Sequence, residues 1–243
     1  MYILFDIGAT KMRIAASPDG SSFHTPIIVP TPDDYENGIQ EFVRIAREAA
    51  GDDEIDGVAG GIAGTQSADH SELLYSPNLG SWQGRDCAHD LSEQLHSPVF
   101  LDNDGAVAGL GESHYGAGKE VPLMGYVTIG TGVGGSRIID GRIDRRKVSF
   151  EPGHQCMNGY EAAVSGAAPE TLEGLVSGSA LELRFGVKAY EVDDMHVWNE
   201  ELPSILAYGL LNTAFLWSPE VIVLGGSMIV GSPGIAISRT QAM

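Results

Sequence analysis

The stretch LFDIGATKMRIAAS, residues 4–17, decides how the chain is read. Apolar Leu4, Phe5 and Ile7 carry Asp6 into a Gly8-Ala9-Thr10 break, after which Met12, Ile14, Ala15 and Ala16 are apolar again. β-Branched and aromatic residues on either side of a glycine-containing break predict two strands, 2–7 and 11–17, joined as a hairpin. The same design returns in LMGYVTIGTGVGGSRIIDGRI, residues 123–143, where Ile129-Gly130-Thr131 stands as Ile7-Gly8-Ala9 stood. This weak internal repeat predicts two related lobes, residues 1–115 and 116–243.

Bulk composition bounds what such a protein can be. At 243 residues the chain can bury a sizeable core, and 43% hydrophobic with 19% charged residues is the composition of a soluble globular protein. It holds 32 glycines, where average usage gives roughly 17. Tight turns are therefore plentiful. Lys plus Arg number 14 against 33 Asp plus Glu, a net charge of −19, which argues against nucleic-acid binding. An acidic chain that handles an anionic ligand must use backbone N–H groups or a metal ion. Cys87 and Cys156 are the only cysteines, too few for a disulfide framework, and predict a reduced, cytoplasmic protein. The N-terminus has no basic leader, and no apolar run nears about 18 residues. Neither secretion nor a membrane span is predicted.

Along the chain, residues 37–51 place Ile39, Phe42, Val43 and Ala46 on one helical face and stop at Gly51. Residues 55–64 give a short apolar strand. Residues 84–104 give an amphipathic helix and a strand, Val99–Leu101, that delivers Asp102, Asn103 and Asp104 at its C-terminal end. A helix follows to Gly116. Residues 151–200 show little period, although 172–186 is helical with a glycine interruption. Residues 202–228 form an apolar helix, a Ser-Pro stop and a buried strand ending in Gly225-Gly226.

Glycines permit positive φ and close approach of backbone to a ligand, so a glycine-threonine turn can aim several N–H groups at one anion. Taken singly, each turn is also an ordinary hairpin turn. A Walker-type phosphate loop is absent, and the G-x-G-x-x-G match at Gly130–Gly135 lacks the helix that a dinucleotide site requires. Two strand-turn-strand units that grip a polyphosphate remain. Asp6 beside the first turn would then hold Mg²⁺, a hard cation that takes oxygen ligands and keeps waters. Asp104, where a strand gives way to a helix, is either a ligand-site acid or a helix N-cap. Asn103, Asp104, Glu151, His154 and Glu173 together suit a polyhydroxyl ligand.

Seven segments, DIGATK, SPNLGSW, DNDGA, GYVTIGTGVGG, EPGH, LEGLVSGSAL and SPEVIVLGGS, stand in the order and approximate spacing of the ROK family. The chain resembles this family of sugar kinases and sugar-responsive repressors. The resemblance implies an α/β actin-like ATPase (ribonuclease H-like) fold of two lobes with a cleft between them. It implies ATP and Mg²⁺ as cofactors, with Asp6, Gly8, Thr10 and Lys11 as the first phosphate motif, and Gly130, Thr131, Gly132 and Gly134 as the second. Gly225 and Gly226 fall on the adenosine contact. Asp104 falls on the catalytic base. Asn103, Glu151, His154 and Glu173, with Gly64 and Asn78, fall on the sugar side. The activity implied is transfer of the γ-phosphate of ATP to a hexose or N-acetylhexosamine hydroxyl, the alternative being a catalytically weak sugar-binding or sensor protein.

Departures from the family pattern shape three further expectations. Many relatives carry a cysteine-rich zinc motif after E-x-G-H, where this chain has only Cys156, so no structural zinc is expected. Ala9 replaces a family glycine, and its Cβ is expected to restrict the first turn. Ala106 replaces a family asparagine. The chain closes with SPGIAISRTQAM where relatives continue with further helices, which implies a shortened adenine side. A repressor would carry a helix-turn-helix ahead of Met1, and the charge also opposes DNA binding. The resemblance implies a homodimer.

Overall fold

Period-two alternation sets the first strand of the computed structural model, which describes residues 1–67, 69–76, 79–147 and 149–242. In β1 (Tyr2–Ile7) the side chains of Ile3, Phe5 and Ile7 are buried, and Asp6 lies on the opposite face. β2 (Lys11–Ser17) pairs antiparallel with it, Tyr2 opposite Ser17 and Ile7 opposite Met12. β3 (Ile27–Pro30) adds to the far edge of β2. α1 (Tyr35–Ala50) begins at Asp34, whose side chain accepts from the Asn37 N–H, and stops at Gly51, where φ is 64°. Its buried face includes Ile39, Phe42, Val43 and Ala46, and Phe42 meets Phe5 edge-on at 5.1 Å. The helix therefore covers the sheet.

β4 (Gly57–Ile62), the short pair β5 (Thr65–Gln66) and β6 (Leu73–Tyr75), α2 (Cys87–Leu95) and β7 (Val99–Asn103) follow. The sheet order is β3-β2-β1-β4-β7, with β1, β4 and β7 parallel. The last strand, expected to end at Leu101, runs on through Asp102 and Asn103 in register with Gly61 and Ile62. α3 (Asp104–Tyr115) starts at the next residue.

A second sheet is built from β8 (Leu123–Ile129), β9 (Val133–Ile139), β10 (Arg142–Ile143) and, after α4 (Gly159–Ser165), α5 (Leu172–Val176), α6 (Gly178–Phe185) and α7 (Leu202–Trp217), from β11 (Val221–Gly225). α8 (Ser227–Val230) and α9 (Ile237–Gln241) close the chain. The order β10-β9-β8-β11, antiparallel within the hairpin and parallel between β8 and β11, repeats β3-β2-β1-β4. Its core contains Val127, Ile129, Leu172, Val176, Trp198, Leu202 and Leu206. The stretch 172–186 forms two helices rather than one, and the break is at Ser177, whose hydroxyl caps α6 by accepting from the Ala180 N–H at 3.0 Å.

By internal contacts the chain divides into Met1–Val107 with Arg145–Ser149, and Ala108–Asp144 with Phe150–Met243. The division falls inside α3. Among the described residues no helix is long and apolar enough to cross a membrane.

Gly38 on α1 faces the fully buried Trp82, and a Cβ there would overlap the indole ring. Alanine ordinarily stabilises a helix over glycine by about 0.5–1 kcal/mol. Here Gly38→Ala is expected to destabilise by about 1–3 kcal/mol through overpacking, read as a lower urea midpoint at unchanged slope.

Candidate active site

Three parallel strands of the first unit end level with one another. Asp6 of β1 is opposite Gly61 of β4, which is opposite Asp102 of β7. Open α/β sheets bind ligands beyond such C-terminal strand ends. The first turn closes where the Gly8 N–H donates to the Lys11 carbonyl at 3.0 Å. Thr31 braces it, its hydroxyl donating to the Gly8 carbonyl at 2.7 Å and its N–H to the Thr10 carbonyl at 3.0 Å. Neither Gly8 nor Ala9 has positive φ. The Ala9 Cβ therefore imposes no left-handed strain. Asp6 is ion-paired through Oδ2 to Arg13 Nη1 at 2.6 Å, its cross-strand neighbour, both side chains being about half exposed.

At the β7–α3 junction the Asn103 amide nitrogen donates to the Gly64 carbonyl at 2.9 Å and to Asp104 Oδ1 at 3.1 Å, while Asn103 Oδ1 accepts from the Ala106 N–H at 3.1 Å. The helix cap is thus Asn103, not Asp104. Asp104 Oδ1 also accepts from the Gly105 N–H at 2.8 Å, which keeps the carboxylate at a helix N-terminus, where negative charge is favoured. A Cβ on Gly61 would stand 2.8 Å from the Asp104 Cα, so only glycine lets β4 lie this close to the junction. Asp102 Oδ1 accepts from the Asn103 N–H at 2.6 Å and is ion-paired to Arg146, with side chains 16% and 13% exposed. The structure so brings Gly64, Asn103 and Asp104 together. Asn78 lies outside the described residues.

In the second unit the Gly130 N–H donates to the Gly132 carbonyl at 2.8 Å. The first two amides of α6 hold the turn, Gly178 N–H on the Gly130 carbonyl at 2.7 Å and Ser179 N–H on the Thr131 carbonyl at 3.1 Å. The Val133 N–H donates to Glu173 Oε2 at 2.8 Å. Gly130, Gly132 and Gly134 do not have positive φ, so conformational freedom is not why glycine stands there. At Gly132 the reason is space, since a Cβ would come 2.6 Å from Glu173 Oε2. Gly225 is in register with Thr128, and Gly226, at φ 91°, packs where a Cβ would overlap the Ile129 carbonyl. Gly225 and Gly226 therefore sit against the base of this turn.

Glu151 precedes a turn of 3₁₀ helix, Pro152–His154, with His154 Nδ1 3.9 Å from Glu151 Oε2. Gly153 abuts the backbone of Val133, and Pro152 abuts Gly135. Residues 155–157 are tied to 170–172 by Leu172 N–H on the Gln155 carbonyl and Met157 N–H on the Glu170 carbonyl, at 3.1 and 2.8 Å. Glu151, His154 and Glu173 are thereby gathered around the start of β9.

Among the described residues no group of three His, Cys, Asp or Glu side chains could hold a metal ion by itself. Mg²⁺ asks less, because one or two carboxylates suffice when waters and substrate phosphates complete its octahedron. The half-exposed Asp6 carboxylate at a strand end meets that requirement. An apolar cavity of about 850 Å³ in the second unit, with Ala207, Tyr208, Leu211, Ala214 and Ile237 in its wall, contains none of the site residues predicted from the sequence. Sequence reasoning missed Thr31, Gly61 and Arg146. Only Gly61 left a signal, a Gly-Gly pair inside a strand pattern, which marks close backbone approach.

Comparison with known proteins then decides the lineage. The ROK family pattern matches residues 2–235. The chain belongs to the ROK family. A putative fructokinase of Bacillus subtilis is 29% identical over 92% of this chain and 76% of its own length. An N-acetyl-D-glucosamine kinase of Pectobacterium atrosepticum is 26% identical over 94% and 84% respectively. The crystal structure of a ROK hexokinase from Thermus thermophilus superposes with a TM-score of 0.75 at 25% identity, covering 93% of this chain and 81% of that one. The fold is the actin-like ATPase fold that ROK sugar kinases share.

Arg146→Met would leave the largely buried Asp102 carboxylate without its cation. The variant is expected to lose about 2 kcal/mol of stability, and pairing it with Asp102→Asn should restore part of that loss in urea denaturation.

Proposed function

We propose that this ROK protein is an ATP-dependent sugar kinase that transfers the γ-phosphate of ATP to a hydroxyl of a hexose or an N-acetylhexosamine. One observation carries the reading. Asn103 and Asp104 stand at the C-terminal end of a parallel strand, tied through the Asn103 amide to each other and to Gly64. The kinases among its relatives support the reaction class.

In this reading Asp104 orients the sugar hydroxyl and takes its proton as the oxygen attacks the γ-phosphorus. The new O–P bond forms as the bridging P–O bond breaks, and ADP leaves with that electron pair. Asn103, Gly64, Asn78, Glu151, His154 and Glu173 hold the sugar. The turns containing Gly8, Thr10 and Lys11, and Gly130, Thr131, Gly132 and Gly134, receive the phosphates, with Gly225 and Gly226 at the adenosine. Asp6 is the residue that would hold Mg²⁺ through water, and the bound ion would neutralise phosphate charge. Because the transition state asks little covalent chemistry of the protein, the work of these residues is positioning.

A second reading, a sugar-binding protein with little turnover, draws on the Asp6–Arg13 ion pair, in which a guanidinium competes for the carboxylate that Mg²⁺ would use. An assay of ADP release over a panel of hexoses and N-acetylhexosamines separates the two. The kinase reading expects Mg²⁺-dependent turnover that falls by about 10²–10⁴ in Asp104→Asn while calorimetry still detects sugar binding. Sugar binding without turnover in the unmodified protein would establish the second reading instead.

A further inference from the structure

Glu173 lies on α5 yet spends its carboxylate on the second glycine turn. Its Oε2 accepts the Val133 N–H at 2.8 Å, one residue beyond Gly132, whose missing Cβ leaves the space the carboxylate occupies. The helix that carries Glu173 is itself fixed. Thr171 Oγ1 caps it by accepting the Gly174 N–H at 3.1 Å, and Leu172 and Val176 are fully buried. Leu172 packs so closely on α7 that a Cβ at Gly209 would stand 2.6 Å from it. The Ser177 N–H returns to the Glu173 carbonyl at 3.1 Å, and the next two amides, Gly178 and Ser179, hold the Gly130 and Thr131 carbonyls. One short helical corner, residues 171–179, thus grips residues 130–133 at three points, two through backbone amides and one through the Glu173 side chain.

We propose that Glu173 is a positioning residue for the nucleotide. By holding the Val133 amide it sets the path of the 130–133 backbone that receives phosphate, so that nucleotide affinity depends on Glu173 with no sugar present. The proposal rests on the kinase reading. A purely electrostatic role predicts the opposite sign, because a carboxylate near a phosphate repels it. A role confined to the sugar predicts no effect on nucleotide alone.

The test is isothermal titration calorimetry with Mg²⁺ and a non-hydrolysable ATP analogue, without sugar. Glu173→Ala is expected to bind the analogue at least about tenfold more weakly, the size of one charge-assisted hydrogen bond. Glu173→Gln, whose amide oxygen can accept the same N–H, should stay within about threefold of the unmodified protein. Gly132→Ala, which places a methyl 2.6 Å from Oε2 and so displaces the carboxylate from the Val133 N–H, should reproduce the alanine loss. Amide hydrogen exchange at Val133 supplies a readout independent of binding. Protection there should fall in Glu173→Ala and persist in Glu173→Gln, with circular dichroism unchanged. Equal or tighter analogue binding by Glu173→Ala overturns the proposal and leaves the kinase reading intact. Failure of the unmodified protein to bind the analogue overturns both.

Discussion

Gly61 has no Cβ, and the start of α3 lies against it. That approach fixes where β7 can end and α3 begin, because a methyl group at Gly61 would stand 2.8 Å from the Asp104 Cα. With β4 and β7 locked in parallel register from Val58 opposite Val99 to Ile62 opposite Asn103, the junction has no freedom to slide along the sheet. Asn103 then has one arrangement that satisfies it. Its amide nitrogen serves the Gly64 carbonyl and Asp104, and its oxygen caps the helix through the Ala106 N–H. An acid beside a helix start can be held in many ways. Here the backbone beneath it decides.

The two units solve the same problem with different parts. In each, an antiparallel hairpin lies beside a parallel strand, and the turn of the hairpin is braced from outside the sheet. Thr31 does this for the first turn, with its hydroxyl and its amide on the carbonyls of Gly8 and Thr10. For the second turn the brace is the 171–179 corner, using Glu173 and the leading amides of α6. The Asp102–Arg146 pair performs a comparable service within the first unit, fastening Arg146 to the end of β7. Bracing matters because a turn that must adopt its binding shape only when ligand arrives loses affinity to ordering.

What depended on a sustained local period was legible in the sequence. The two hairpins followed from alternation around a glycine-threonine break, and α1 from its four apolar positions and Gly51, while its Asp34 cap was not read. The choice between Asn103 and Asp104 as helix cap was not legible, since both residue types cap well and the decision comes from a bond to Gly64, 39 positions away. Arg146 was invisible for the same reason, its partner Asp102 being 44 residues distant. Residues 151–200 gave no sustained period because α4, α5 and α6 are 7, 5 and 8 residues long. The glycine pattern marked the second turn, and of the two causes it suggested, positive φ does not apply. Gly132 is small to admit a carboxylate, and φ has no part in it.

A chain with a net charge of −19 gains nothing from its overall field in attracting an anion, so on the proposed kinase reading local backbone amides and a metal ion would have to do that work. In the first turn the Gly8 N–H is already used by the Lys11 carbonyl, whereas the Ala9 and Thr10 amides have no backbone acceptor among the described residues. In the second, the Gly130 N–H is used by Gly132 and the Val133 N–H by Glu173, and among the described residues the Thr131 and Gly132 amides have no backbone acceptor. Each turn therefore leaves two consecutive N–H groups without a backbone acceptor among the described residues. In the second turn the carbonyls of Gly130 and Thr131 are taken up by the amides of Gly178 and Ser179. The braces thus hold the backbone and occupy these carbonyl oxygens at once.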